Sequence, residues 1–354
     1  MELPLTVRPD LVDVAPYVSP QRPARYRMNT NETPYPPPAA LVDEVAEELK
    51  TVALNRYPDR DATQLYGAIA DHVGWQQDGL WVANGSNEVF MHLFLAFGGP
   101  GRSALVFEPT YSLHSLIPRI ASTRVLQHPR VDLQIDPQLA VDLIKRERPE
   151  IVIVCSPNNP TGMCEPRSTV EALLAAASGI VVVDEAYAEF ADPGKSVMPL
   201  LRSHPNLVLV KTFSKAWRLA GVRIGYMLAA PSLIGELGRV RLPYHLSTVT
   251  QLVGVAAIRH AEQTLELVRS IVGERDRIVD GLTELGVHAY PSDANFVLFE
   301  VDDPRDVWTR LLERGVLVRR YDGIPMLERC LRVTAGLPEE TDAFLDAVAE
   351  SRRG

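Results

Sequence analysis

The chain has 354 residues, 46% of them hydrophobic, with a formal charge of −9 at pH 7 and a pI near 5.5. That length buries enough core for two domains, and the acidic balance argues against a nucleic-acid or anionic-membrane surface, which needs a basic face. Apolar runs are short and interrupted, and Met1-Glu2-Leu3-Pro4 opens no basic-then-apolar leader, so a cytoplasmic protein with no membrane span and small soluble ligands is expected.

Up to about residue 40 the chain is rich in Pro and Arg and ends in Asn31-Glu32-Thr33-Pro34-Tyr35-Pro36-Pro37-Pro38, an extended arm that needs another surface to lie on. Apolar runs at 81–83, 104–107, 151–154, 180–183 and 207–210 then alternate with helical patterns. Continuous apolar strands separated by helices predict an α/β fold whose mostly parallel sheet is covered on both faces and collects ligands at the strands' carboxyl ends. Residues 231–285 read as long helices broken near Pro243. Beyond them, strands at 288–291, 295–301, 316–319 and 331–334 and helices at 304–314 and 338–350 predict a smaller α+β domain. Cys155, Cys164 and Cys330 form neither metal-ligand spacing nor a disulfide framework, and no metal is expected.

The strand ends carry the chemistry. After 81–83 comes Asn84-Gly85-Ser86-Asn87-Glu88, a glycine turn opening a helix; it reads as an anion site on free backbone N–H groups, or as a plain cap made by Ser86 or Asn87. Tyr111, after 104–107, stacks on a flat ligand or belongs to the core. Cys155-Ser156-Pro157-Asn158-Asn159-Pro160-Thr161-Gly162 is a rigid turn that holds two amides at the ligand edge. Asp184 directly follows an apolar strand, a costly place for a carboxylate without a cation. The last strand leads to Thr212, Ser214 and Lys215, with Arg223 eight residues on.

Lys215 stands out because the chain holds only five lysines against 31 arginines. A guanidinium stays charged, whereas an amine that deprotonates can attack a carbonyl, so a lysine among hydroxyls, aromatics and glycines points to covalent chemistry. Amine, carboxylate, aromatic plate, amide and anion cradle together match pyridoxal 5'-phosphate. Trp217-Arg218 has no role in that set.

These motifs, with Asn55-Arg56-Tyr57-Pro58-Asp59, Arg241-Leu242-Pro243-Tyr244-His245-Leu246-Ser247, Ser292-Asp293-Ala294-Asn295-Phe296 and Leu331-Arg332-Val333-Thr334, resemble the fold-type I pyridoxal-phosphate-dependent aminotransferases, in particular the histidinol-phosphate aminotransferases of actinobacterial type. The resemblance runs nearly end to end. It implies an N-terminal arm (1–30) that joins the small domain and contacts a partner subunit, a large cofactor-binding domain (31–240) and a small C-terminal domain (241–354). It further implies Lys215 as the Schiff-base lysine and proton shuttle, Asp184 on the pyridine nitrogen, Asn159 and Tyr187 on the phenolic oxygen, and Tyr111 on the ring. Gly85, Ser86, Asn87, Thr212, Ser214 and Arg223 would hold the phosphate, joined by Tyr57 from the neighbouring subunit of a homodimer with shared sites.

For substrate, the resemblance implies Arg332 as the carboxylate-binding arginine. Arg319 is a second clamp or an exposed strand-end charge, and Tyr17, Asn31 and Tyr244 are further contacts. The expected reaction interconverts histidinol phosphate plus 2-oxoglutarate and imidazole-acetol phosphate plus glutamate, a step of histidine biosynthesis. The rival readings are an aromatic amino acid aminotransferase and, further off, a phosphothreonine-type decarboxylase. Asn87, where Asp is frequent, and the pairs Trp217-Arg218 and Arg319-Arg320 depart from the family's commoner pattern.

Overall fold

The computed structural model describes residues 7–15 and 22–351. In chain order the regular elements begin with β1 (Tyr26–Arg27), α1 (Ala39–Leu49), α2 (Thr63–Val73), β2 (Leu80–Ala83), α3 (Ser86–Phe97), β3 (Ser103–Glu108), α4 (Leu113–Ile120) and β4 (Arg124–Pro129). Then come α5 (Pro137–Glu147), β5 (Ile151–Cys155), α6 (Arg167–Ala176), β6 (Ile180–Asp184), β7 (Leu207–Thr212), β8 (Gly225–Leu228), α7 (Pro231–Leu237) and α8 (Thr248–Arg259). The chain ends with α9 (Ala261–Leu265), α10 (Val268–Glu284), β9 (Phe296–Glu300), α11 (Pro304–Glu313), β10 (Val316–Leu317), β11 (Arg319–Arg320), β12 (Cys330–Thr334) and α12 (Pro338–Ser351).

Seven strands form the main sheet in the order β2-β8-β7-β6-β5-β3-β4, with β8 alone antiparallel to its neighbours. The expected α/β architecture is therefore present. Strands β5, β6 and β7 are almost wholly apolar because helices cover both faces, and each buried Val, Leu or Ile contributes about 1.5–3 kcal/mol. Local caps fix where helices start: Asp136 accepts from Leu139 N at 2.9 Å ahead of α5, and Asp303 accepts from Arg305 N and Asp306 N ahead of α11. Both helices open on proline, whose missing N–H is no loss at that position.

A second core forms around the three-stranded sheet β11-β12-β9 and helices α10 and α12. Strand β1 of the arm pairs in parallel with β10. The large core reaches beyond residue 240, because α8 packs Val253, Val255, Ala256 and Ala257 into it beside α1 and α2.

Two sequence expectations need correction. Residues 288–291 make no strand, only an isolated bridge between Ala289 and Phe299. The run 316–319 is not one strand: Val316–Leu317 pairs with β1, and after Val318 the chain turns to pair Arg319–Arg320 with β12. The helical stretch is interrupted over 238–247, around Pro243, where the sequence places its break. No helix among the described residues is long and apolar enough to cross a membrane.

Candidate active site

One cleft of about 1200 Å³ opens where the carboxyl ends of β2, β3, β5, β6 and β7 meet the small core. Its floor is an electrostatic pair. Asp184, the last residue of β6, is joined to His114 Nε2 of α4 at 2.9 Å, with both side chains shut away from water. Asp184 also accepts from Ala186 N at 3.1 Å. Sequence reading missed His114, because a lone histidine on an amphipathic helix gives no local signal of a partner 70 residues away. His114, Cys155 and Asp184 place potential metal-ligand atoms within 4.8 Å of one another, but burial pushes the Cys155 thiol well above its ordinary range and keeps it neutral.

The cleft's wall is a polar chain from strand end to arm. Tyr187 Oη receives hydrogen bonds from Asn31 Nδ2 at 3.0 Å and Asn159 Nδ2 at 3.3 Å. Arg332 Nη1 donates to Asn159 Oδ1, and Nη2 donates to Asn29 O at 2.8 Å. Its Nε is buried with no hydrogen-bond partner, so this cation has donor capacity left inside the cleft. Arg319 stands directly opposite Arg332 in the β11–β12 register, and both line the cleft. Two arginines lining one cleft suit an anion with more than one acceptor.

Lys215 follows β7 on an irregular turn and donates from Nζ to Thr30 O at 3.1 Å, with the Tyr187 ring 5.8 Å away. Burial, reinforced by the Arg332 charge, brings its amine down to about 8, close enough to neutrality for a useful fraction of free amine. Lys211, four residues earlier, behaves oppositely. Burial disfavours its charge, yet Glu189 and Glu185, at 3.2 and 3.3 Å, outweigh that and hold the ammonium above its ordinary range.

The other end of the cleft is an anion cradle. Gly85 (φ 84°) precedes α3, and no side chain among the described residues caps that helix, so the plain-cap reading of Ser86 and Asn87 does not hold. The helix's first N–H groups are therefore left for an anion. Thr212 Oγ1 donates to Ser214 Oγ at 3.0 Å, and Arg223 Nη1 donates to Ser214 Oγ at 3.4 Å. A Cβ on Gly85 would sit 2.5 Å from Arg223 Nη2, and one on Gly225 would sit 2.2 Å from Ser86 N. At Gly225 the neighbour is the Ser86 backbone, which admits only glycine, whereas at Gly85 it is the Arg223 side chain, and the positive φ is what favours glycine there.

Tyr111 lines the cleft and meets His114 edge-on at 5.4 Å. Tyr57 and Tyr244 do not line it. They stack on each other at 4.5 Å, and Tyr57 is 80% exposed. Tyr17 lies outside the described residues.

The family model for class I and II aminotransferases matches residues 26–348. The histidinol-phosphate aminotransferase of Thermobifida fusca (strain YX) is 48% identical over 351 residues, covering 97% of this chain and 95% of that protein. That of Frankia casuarinae is 47% identical over 365 residues, covering 99% and 91%. Among solved structures, the histidinol-phosphate aminotransferase from Sinorhizobium meliloti in complex with pyridoxal-5'-phosphate superposes with a TM-score of 0.90 at 24% identity, covering 99% of this chain and 98% of that one, which shows the shared fold. On a match that spans nearly the whole chain, the protein belongs to the class I and II aminotransferases, and among them to the histidinol-phosphate aminotransferases.

Proposed function

We propose that the cleft binds pyridoxal 5'-phosphate and that the enzyme interconverts histidinol phosphate plus 2-oxoglutarate and imidazole-acetol phosphate plus glutamate. The observation that carries this reading is the convergence, in one cleft, of an amine brought down to about 8, a buried carboxylate and an uncapped helix N-terminus. These residues fit the group: Asp184 suits a protonated ring nitrogen, Asn159 and Tyr187 a phenolic oxygen, and the α3 turn with Thr212, Ser214 and Arg223 a phosphate. The relatives' names at 46–48% identity support the same substrate.

When bound, pyridoxal phosphate supplies an aldehyde for amines and a ring that accepts electrons from the substrate carbon. Asp184, braced by His114, keeps a proton on the ring nitrogen so that the ring can accept them. Lys215 would hold the group through its aldehyde between turnovers, and its free amine would move the proton from the substrate's amine-bearing carbon to the cofactor's aldehyde-derived carbon in one half-reaction and in the opposite direction in the other. Arg332 holds the carboxylate of glutamate, and Arg319 beside it gives the second cation that a phosphate dianion needs. Tyr111, which lines the cleft, would lie against the ring.

The Tyr57–Tyr244 stack is exposed and outside the lining of its own cleft, which supports a homodimer in which Tyr57 of the partner subunit reaches the phosphate. We further infer an arm that serves the shared site, Asn31 near the substrate, and a cytoplasmic location. A spectral titration of each half-reaction tests the substrate. Histidinol phosphate should discharge the visible band at far lower concentration than phenylalanine does, and the reverse order would make the enzyme an aromatic amino acid aminotransferase.

A further inference from the structure

Arg218, three residues after Lys215, sits where a side chain is least welcome. Its backbone is left-handed, with φ 59°, a conformation unfavourable for a non-glycine residue. The residue is nevertheless buried, and its side chain donates to main-chain carbonyls of other segments. Nε donates to Thr264 O at 2.9 Å, Nη1 to Pro36 O at 3.0 Å and Nη2 to Gln263 O. Residues 263 and 264 belong to α9, which leads directly into α10 and the small core, and Pro36 belongs to the arm. Trp217 beside it stacks on Phe213 at 4.5 Å in the large core and anchors the turn from the other side.

The arm is not a passive neighbour of the lysine. Thr30 O accepts from Lys215 Nζ, Asn31 Nδ2 donates to Tyr187 Oη, and Asn29 O accepts from Arg332 Nη2. The segment fastened at Pro36 therefore carries the immediate partners of three cleft residues. Position 218 is joined to the lysine on its own side as well, since Arg218 N donates to Lys215 O at 3.2 Å.

We propose that Arg218 is a positioning residue for Lys215, fastening the lysine's turn to the arm at Pro36 and to α9 at Gln263 and Thr264, so that the large core, the arm and the start of the small core move as one unit. The proposal rests on the role given to Lys215 above. A guanidinium is required because its planar fork reaches several carbonyls at once, which an ammonium cannot do from one point. The strained φ is consistent with a side chain kept for its contacts.

Arg218→Gly is the informative variant, because glycine suits the left-handed backbone, so the side chain with its guanidinium is removed without adding backbone strain. Amide hydrogen exchange of the purified holoenzyme should speed up about tenfold over residues 28–37, with β5 and β6 unchanged. In the same variant kcat should fall about tenfold with a smaller change in KM, and the pH midpoint assigned to Lys215 should move. That midpoint is set by burial and by Arg332, Glu32, Arg223 and Asp184, of which Glu32 travels with the arm. Arg218→Lys should fall between wild type and glycine in all three readouts, and it stands in should the glycine variant fold poorly. Arm exchange at the wild-type rate, or an unmoved kcat and pH midpoint, overturns the proposal. Arm exchange is indifferent to the lysine's chemistry, so a fault in the Lys215 assignment would appear separately, as faster exchange with no cofactor bond to Lys215.

Discussion

Asp184 and His114 form a closed pair, 2.9 Å apart and with side-chain exposures of 4% and 0%, at the floor of the cleft. A carboxylate this deep needs a partner, and among the described residues His114 is the ring that supplies one. Asp184→Asn keeps the size and removes the charge, so kcat should fall by about 10²–10³ while the fold persists, as steady-state kinetics and circular dichroism would record. His114→Ala should cost less, about tenfold, because Asp184 keeps its bond from Ala186 N.

The lowered Lys215 amine has a stability consequence with a definite sign. Its folded pKa, about 8, lies below the ordinary lysine value, so between roughly pH 8 and 10.5 the unfolded chain binds the extra proton and stability contributed by this group rises with pH. Below pH 8 the folded state carries the cost of a buried charge. In the cofactor-free enzyme, Lys215→Met should relieve this by about 1–3 kcal/mol at pH 7 and remove the rise, as denaturant midpoints across pH would show. A midpoint that stays flat with pH in the wild-type chain would contradict the shift.

Two glycines of the cradle should fail in different ways. A methyl at Gly85 meets only the exposed Arg223 side chain, which can swing aside. Gly85→Ala should therefore weaken cofactor binding about tenfold or more, with a modest stability cost from φ 84°. At Gly225 the methyl meets the backbone of Ser86, which cannot give way, so Gly225→Ala should cost about 1–3 kcal/mol and lower Tm as well as cofactor affinity. Equal Tm values for the two variants would contradict this distinction.

The exposed stack of Tyr57 on Tyr244 predicts complementation between subunits. Lys215→Ala and Tyr57→Ala chains, each inactive or nearly so, should recover up to roughly a quarter of wild-type activity when mixed under conditions of subunit exchange, because hybrid dimers hold one intact site. No recovery with demonstrated exchange would place Tyr57 outside the site.

Much of this was legible in the sequence, for physical reasons. The runs ending at Asp184 and leading to Thr212 are uniformly apolar because a parallel sheet buries both faces, and ligand groups gather where such strands end. The split at Val318 was not legible, because which neighbour a short strand pairs with depends on the arm, nearly 300 residues earlier. His114, and the buried Arg130–Glu165 ion pair that braces the turns after β3 and β5, depend on partners 70 and 35 residues apart and leave no local pattern. Arg218 looked idle because its partners are backbone carbonyls, which carry no residue signature.

Borohydride reduction of the purified enzyme followed by peptide mass mapping tests the central assignment most directly. With five lysines in the chain, the account predicts a single pyridoxyl adduct, on Lys215, and none on Lys211 four residues away, whose charge is locked by Glu185 and Glu189. An adduct on any other lysine, or none on an enzyme that shows the cofactor's visible band, would contradict it.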